Sequence, residues 1–291
     1  MVSLEGGKGH VRHGQVQYGL PKDGSQALIE LRRLGVEIER FYAYSKPDYS
    51  EALARRHVIE QVRNHVRTTL PDHVLEVFGS ERTGLALPTS DIDLRLFMKG
   101  KVENPRLAKF PPIPRVRAEG VKSLHRLFVG NLSKHKAYLL RLLRQARYPL
   151  ILLQDRQSGL EIQIVLSNDT SLSREIMKGY MEDYPYLRQL YFVVKTIFDV
   201  RGLSDVFRGG FGSYPIFMML VASIKHMPHP RNDAAGALVN FLKFYRSFNT
   251  KKQGISIEPP YIFDKMKEFV MSHKENVKLK VRTPSISVDS H

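Results

Sequence analysis

The chain has 291 residues, of which 42% are hydrophobic and 25% charged, a balance typical of a globular protein. No apolar run approaches the roughly 18 residues that a membrane-spanning helix needs, so we expect no membrane partner. The absence of cysteine excludes a disulfide framework and thiolate-bound zinc. Lys and Arg number 45 against 29 Asp and Glu, a formal net charge of +16. This excess favours a polyanionic partner, above all nucleic acid, over a merely basic solvated surface.

The first part of the chain predicts a tail followed by two helices. Residues 1–24 are rich in glycine and polar groups and predict a basic, polar tail. Over residues 25–70, leucines and valines recur at helical spacing. The segment Lys46-Pro47-Asp48 separates the two predicted helices, because proline interrupts a helix.

Two strands and a basic segment follow. The segment LEVFGS predicts a strand that enters a Gly-Ser turn, and SDIDLRLFM predicts a second strand. In the second strand, alternation places Asp91, Asp93 and Arg95 on the face opposite the apolar residues. Residues 121–147 predict one basic helix that packs on the sheet by its apolar side. Its other side is either a solvated cationic face or an RNA-binding face formed by Lys122, Arg126, Lys134, Lys136, Arg141, Arg144 and Arg147.

The remaining chain predicts a β-hairpin and a helical region. The hairpin consists of YPLILLQ, a turn at Asp155–Gly159, and LEIQIVL. Helical patterns then cover residues 172–200, 214–226 and 233–248.

The Gly79-Ser80 turn and the acidic strand form a pattern suited to a nucleoside triphosphate. Glycine lets the backbone approach a phosphate closely, and the serine hydroxyl and amide can bind it. Asp91 and Asp93 lie two positions apart on a strand, so both carboxylates face the same way and can share divalent cations. Two-metal phosphoryl transfer also requires a third carboxylate nearby.

The run FGSERTGLALPTSDIDL resembles the TRAMP-type poly(A) polymerases, which are template-independent RNA nucleotidyltransferases. EIERFYAYSKPDYSEALARRHVIEQVR is similar to the entry helices of that family, and ARYPLILLQDRQSGLEIQIVLSND to its third-carboxylate hairpin. VVKTIFDVRGLSDVFRGGFGSYPIFMMLVASI is similar to its nucleotide-binding helical domain. The resemblance covers roughly residues 36–257.

The resemblance implies a role for several individual residues. Gly79 and Ser80 would hold the triphosphate, and Asp91 and Asp93 would ligate Mg²⁺ or Mn²⁺. The helical domain would supply three further contacts to the nucleotide: Lys195 to the phosphates, Ser213 in support of them, and Tyr214 stacked on the base. Two of these residues have a structural alternative: Lys195 could be a surface lysine of an amphipathic helix, and Tyr214 a core aromatic residue.

The chain departs from the family at Gln163, where the hairpin of the family carries an aspartate. A neutral amide is a poorer ligand for a hard divalent cation than a carboxylate, and it cannot accept a proton from an attacking hydroxyl. Glu161 lies on the same strand face and could substitute for it. Arg95 either leans toward the acids and neutralises them or lies past the site, in contact with RNA or solvent.

These patterns predict an α/β (α+β) fold. The resemblance implies a polymerase-β-like nucleotidyltransferase palm with a mixed sheet at residues 71–167, and a helical poly(A)-polymerase central domain that comprises residues 25–70 and 168–291. Two functions remain open. One is a catalytically degenerate, RNA-binding or structural part of a ribonucleoprotein, a mitochondrial ribosome or an RNA-processing complex, that needs no cofactor. The other is an active adenylyltransferase that uses Mg²⁺ or Mn²⁺ and ATP. Both have RNA as the partner and imply an intracellular location, in the mitochondrion or the nucleus.

Overall fold

The computed structural model describes residues 24–100, 114–144, 149–166, 170–230 and 233–266. The predicted tail before Gly24 and the predicted RNA contact Arg147 lie outside these ranges. The described chain forms eight α-helices: α1 Gly24–Ser45, α2 Tyr49–Thr69, α3 Gly79–Thr83, α4 Pro114–Leu127, α5 Ser171–Asp183, α6 Leu187–Val200, α7 Ser213–His226 and α8 Ala234–Ser247. None of these helices is long and apolar enough to cross a membrane.

A five-stranded mixed sheet forms the palm. Its strands are β1 His73–Val77, β2 Ile92–Met98, β3 Tyr138–Arg144, β4 Leu150–Asp155 and β5 Glu161–Val165. The spatial order is β1-β2-β5-β4-β3, with β2 and β5 parallel and every other pair antiparallel. A separate hairpin joins β6 Gln253–Ile257 and β7 Pro260–Asp264. The sheet confirms the predicted mixed α/β fold and the predicted strands and hairpin of the palm.

Two hydrophobic cores organise the described chain. One lies between the sheet and helices α2 and α4, and includes Val62, Ile92 and Leu124. The other joins α1, α6, α7 and α8, and includes Ile38, Tyr191 and Phe217. Helix α2 therefore packs on the sheet, whereas α1 packs on the helical region. The packing of α2 on the sheet differs from the prediction that grouped the whole of residues 25–70 with the helical domain. The domain boundaries stay a prediction.

The predicted single helix over residues 121–147 is wrong in its second half. Helix α4 ends at Leu127, a π-helical turn covers Phe128–Leu132, and Tyr138–Arg144 forms the edge strand β3. The leucines of YLLRLLR recur at intervals that fit a helix as well as a strand. Pairing with β4 decides between the two, because it satisfies backbone groups along the sheet edge.

The predicted helix over residues 172–200 is likewise two helices. Helix α5 ends at Asp183 and α6 begins at Leu187. Pro185 lies between them and has no backbone N–H to donate, so the helix cannot run through it.

Candidate active site

Asp91, Asp93 and Gln163 meet at the end of the parallel pair β2 and β5. The register places Asp93 directly beside Gln163. Asp91 lies just before β2, and the Nε2 atom of Gln163 donates a hydrogen bond to Oδ2 of Asp91 at 2.5 Å. The side chain at the degenerate position thus binds one of the two predicted metal ligands.

Gly79 and Ser80, predicted as a turn, are the first residues of the short helix α3, and Gly79 packs directly against Asp93 of the acidic pair. Gly79 has a φ of 63°, and a Cβ atom added there would lie 2.3 Å from Oδ2 of Asp93. The N–H of Phe78 also donates to the carbonyl oxygen of Asp93 at 3.0 Å. Ser80 follows Gly79 and is 7% exposed. Only glycine fits this position without displacing Asp93, both for its backbone conformation and for its lack of a side chain.

Arg55 binds the segments on either side of the loop that precedes Asp91, a role that the sequence pattern did not predict. Its side chain is 2% exposed, and its Nε atom donates to Oε2 of Glu81 at 2.6 Å. Its Nη2 atom donates to the carbonyl of Ser90 at 2.7 Å, and Nη1 to that of Pro88 at 3.3 Å. The guanidinium therefore fixes the loop that leads into Asp91. A signal was present in the sequence, because Arg55 falls on the same helical stripe as the buried valines of α2.

The pKa of Asp93 is raised to about 7. Burial of the carboxyl group is the largest cause, and the neighbouring charge of Asp91 acts in the same direction, while Arg55 opposes both. A divalent cation between the two carboxylates would relieve this repulsion.

The residues present fit one divalent ion better than two. Mg²⁺ is commonly bound by one or two carboxylates of the protein together with phosphates of the substrate. Asp91 and Asp93 can provide the carboxylates. Within the described ranges, however, no three acidic or histidine side chains cluster closely enough to hold a metal. Glu161 is exposed and does not complete such a group, so the predicted substitution for Gln163 is not supported.

Arg95 does not lie in solvent. It is 4% exposed, pairs with Glu76 on β1 at 3.3 Å, and lies over the ring of Phe97 at 4.6 Å. The alternative in which Arg95 contacts solvent or RNA is therefore wrong. The cation that lowers the pKa of Asp93 is Arg55.

The three predicted nucleotide contacts of the helical region lie on α6 and α7. The ammonium group of Lys195 pairs with the carboxylate of Asp199 one turn later on α6. Ser213 is the first residue of α7, and Tyr214 is 39% exposed. Helix α3 contacts α7. Their roles toward a nucleotide stay a prediction.

The predicted RNA-binding residues do not share one helix face. Lys122 and Arg126 lie on α4, and Arg126 donates to the carbonyl of Thr69 at 2.6 Å. The other described members lie beyond α4: Lys134 and Lys136 before β3, and Arg141 and Arg144 within it. The basic surface is thus divided between a helix and a sheet edge.

Known proteins share this fold and sequence pattern. Poly(A) RNA polymerase protein 2 of Saccharomyces cerevisiae is 31% identical over 201 residues, which is 68% of this chain and 31% of the yeast protein. The inactive non-canonical poly(A) RNA polymerase protein Trf4-2 of Drosophila melanogaster is 28% identical over 254 residues, covering 83% of this chain and 56% of the fly protein. The chain spans about a third of the length of the yeast relative.

A comparison with solved structures finds the same fold in a polymerase. The polymerase core of TRAMP, an RNA surveillance complex, matches with a TM-score of 0.65 and 27% identity, over 81% of this chain and 72% of that one. A family model for the central palm domain of mitochondrial-like poly(A) RNA polymerases matches residues 34–181, just over half of the chain. The chain therefore belongs to this poly(A) RNA polymerase family and has its nucleotidyltransferase fold.

Proposed function

We propose that this protein is a catalytically degenerate poly(A)-polymerase-like protein that binds RNA as a component of a ribonucleoprotein. One observation carries the proposal: the amide of Gln163 donates to Asp91, at the position where the family is expected to have a third carboxylate. The excess of 16 positive charges supports RNA as the partner.

The chemistry required at position 163 explains why a single residue there can decide whether the site is catalytic. In two-metal phosphoryl transfer, a carboxylate there helps to hold the ion that activates the attacking hydroxyl. The Gln163 amide is uncharged, and its donor group already binds Asp91. Loss of this ligand costs on the order of 10²–10⁴ in rate, which corresponds to several kcal/mol of transition-state stabilisation.

The relatives include a protein named as inactive and proteins named as poly(A) RNA polymerases. The fly protein Trf4-2 is described as inactive, while the yeast protein is described as a poly(A) RNA polymerase. The TRAMP core belongs to a complex that acts in RNA surveillance. These precedents support an assembly that handles RNA. We further propose that the assembly lies in the mitochondrion or the nucleus.

The alternative function is an active adenylyltransferase that adds adenylate to RNA 3′ ends. It is favoured by the contact of Gly79 with Asp93 and by the raised pKa of Asp93, since both suit a site where Asp91 and Asp93 would hold a divalent ion beside the phosphates. When bound, Mg²⁺ or Mn²⁺ would supply charge neutralisation to ATP. The chain itself would hold the phosphates at the Gly79-Ser80 turn.

An RNA extension assay separates the two functions. The wild-type chain is incubated with RNA, each nucleoside triphosphate, and Mg²⁺ or Mn²⁺, beside Gln163→Asp and Asp91→Ala. We expect no extension by wild type, with RNA binding that weakens as salt rises. Extension gained by Gln163→Asp would assign the loss to that residue. Extension by wild type that Asp91→Ala abolishes would instead establish the adenylyltransferase and refute the degenerate function.

A further inference from the structure

A cavity of about 550 Å³ lies between α2, the end of β1 and helix α3. Its volume is within the range of small-molecule and cofactor sites. Ile59 and Val77 provide its apolar lining, and Arg56, Arg63 and Arg82 provide its cations. None of the predicted nucleotide, metal or RNA-binding residues is among those that line it.

The two acidic side chains of this cavity already have cationic partners. Glu81 accepts from the buried Arg55, and Glu60 pairs with Arg63 and, at 3.8 Å, with Arg67. Both carboxylates are therefore neutralised by arginines that reach them from α2.

Two arginines of the cavity remain without such a partner. Arg56 and Arg82 are exposed, and no carboxylate in the described part of the chain pairs with either. The lining itself carries three arginines, Arg56, Arg63 and Arg82, against Glu60 and Glu81, an excess of one positive charge. Both glutamates are in addition paired with arginines outside the lining, Arg55 and Arg67. A net positive charge around a concave surface favours an anionic ligand.

Arginine chemistry narrows the class of anion. A guanidinium group presents a planar set of donors that matches the oxygens of a phosphate in a bidentate manner. Arg56 lies on α2 and Arg82 on α3, so the two groups approach the cavity from different elements. Such an arrangement suits phosphates that run past the cavity along a chain.

We propose that Arg56 and Arg82 form a phosphate-binding site for the sugar–phosphate backbone of an RNA. This inference rests on the proposed RNA-binding function and adds a contact surface on α2 and α3, apart from α4 and β3. The same phosphate chemistry also occurs in free polyphosphates, and the experiment separates these two sources.

The test measures the binding of a short fluorescent single-stranded RNA by anisotropy, between about 50 and 200 mM salt. Arg56→Ala/Arg82→Ala is compared with wild type and with Arg32→Ala/Arg40→Ala. The control pair removes the same charge from α1, where both arginines are exposed and have no described partner. All four substituted positions are on the surface, and circular dichroism and thermal melting verify that each variant is folded.

We expect RNA binding to be lost only in Arg56→Ala/Arg82→Ala, the cavity variant. Each phosphate contact to a single strand contributes about 0.7 to the slope of log K against log salt, so two lost contacts lower the slope by about 1.4. At 0.1 M salt this corresponds to a loss on the order of 10- to 30-fold, against less than about twofold for the control pair. Arg56→Lys/Arg82→Lys keeps the charge and should retain the slope, with weaker binding through loss of the bidentate geometry.

Three results would overturn the inference. Equal binding by the cavity variant and the control pair would show that RNA does not contact this surface. Thermal stabilisation of wild type, but not of the cavity variant, by inorganic tripolyphosphate, with unchanged RNA affinity, would assign the site to a small polyphosphate instead. Absence of RNA binding by wild type and all variants would refute the proposed function itself, and the inference with it.

Discussion

Replacing Gln163 by aspartate tests whether its amide stabilises the acidic pair when no metal is bound. In the structure, Gln163 donates to Asp91 and lies beside Asp93 on the adjacent strand. Gln163→Asp removes the donor and places a third carboxylate next to two others. We expect this variant to be less stable than wild type in a chelator and to regain stability when Mg²⁺ or Mn²⁺ is added.

The magnitude follows from two contributions. A hydrogen bond to a charged group contributes about 1.5–3 kcal/mol. Repulsion between like charges about 4 Å apart reaches about 4 kcal/mol at an effective dielectric constant of 20. Protonation of one carboxyl group lowers this repulsion energy, because it removes one of the charges. We therefore expect a loss of roughly 3–5 kcal/mol in the free energy of unfolding at pH 8.

Chemical denaturation at pH 8 measures this loss, once with EDTA and once with a divalent cation. The matched control is Gln154→Asp on the neighbouring strand β4, where Gln154 makes only a 3.3 Å bond to the carbonyl of Gly159. The control should lose less than about 1 kcal/mol and show no response to metal. Equal stability of Gln163→Asp and wild type in EDTA would refute the claim that Gln163 supports the charge of Asp91.

Three further predictions concern the same site. Because the pKa of Asp93 is raised to about 7 in the folded state, the free energy of unfolding should fall by about 1.4 kcal/mol per unit as pH rises between about 4 and 7, and Asp93→Asn should remove that fall in denaturation curves. Gly79→Ala should lower stability by about 1–3 kcal/mol and abolish any nucleotide-induced thermal shift, because its Cβ would meet Asp93. Arg55→Leu should cost about 3–5 kcal/mol, since it leaves Glu81 and the carbonyls of residues 88 and 90 without their donor. In the same melts, the exposed neighbour Arg56→Ala should change stability by less than about 0.5 kcal/mol.

Strict periodicity made most of the fold predictable. Alternation in β2 placed Ile92, Leu94 and Leu96 in the core, as the structure has them. Proline at position 47 likewise marked the break between α1 and α2. The second half of the predicted helix over 121–147 failed because its leucines fit either period, and only the pairing of β3 with β4 decides the outcome.

The candidate site was only partly predictable, for a related reason. Local spacing was enough to bring Asp91 and Asp93 to one strand face and Gly79 to a turn before them. The contact between Gln163 and Asp91, and the support from Arg55, join segments that are far apart in the chain. Such contacts depend on how α2 and β5 pack around the acidic strand, and no pattern within either segment specifies them.

The contacts of the acidic pair also decide which residues discriminate between the two candidate functions. Asp91 accepts from Gln163, Gly79 is held in close contact with Asp93, and Arg55 fixes the loop that precedes both acids. A protein that only binds RNA would therefore have a structural reason to keep the acids and the glycine, since their loss would leave Gln163 without an acceptor and the turn unsupported. The Gly-Ser and Asp-Ile-Asp pattern suits an enzyme, but it also has a structural reason in a binding protein, so it favours the enzyme less strongly than Gln163 favours the degenerate function. Gln163 is the position where the two differ, because only catalysis requires a charge there.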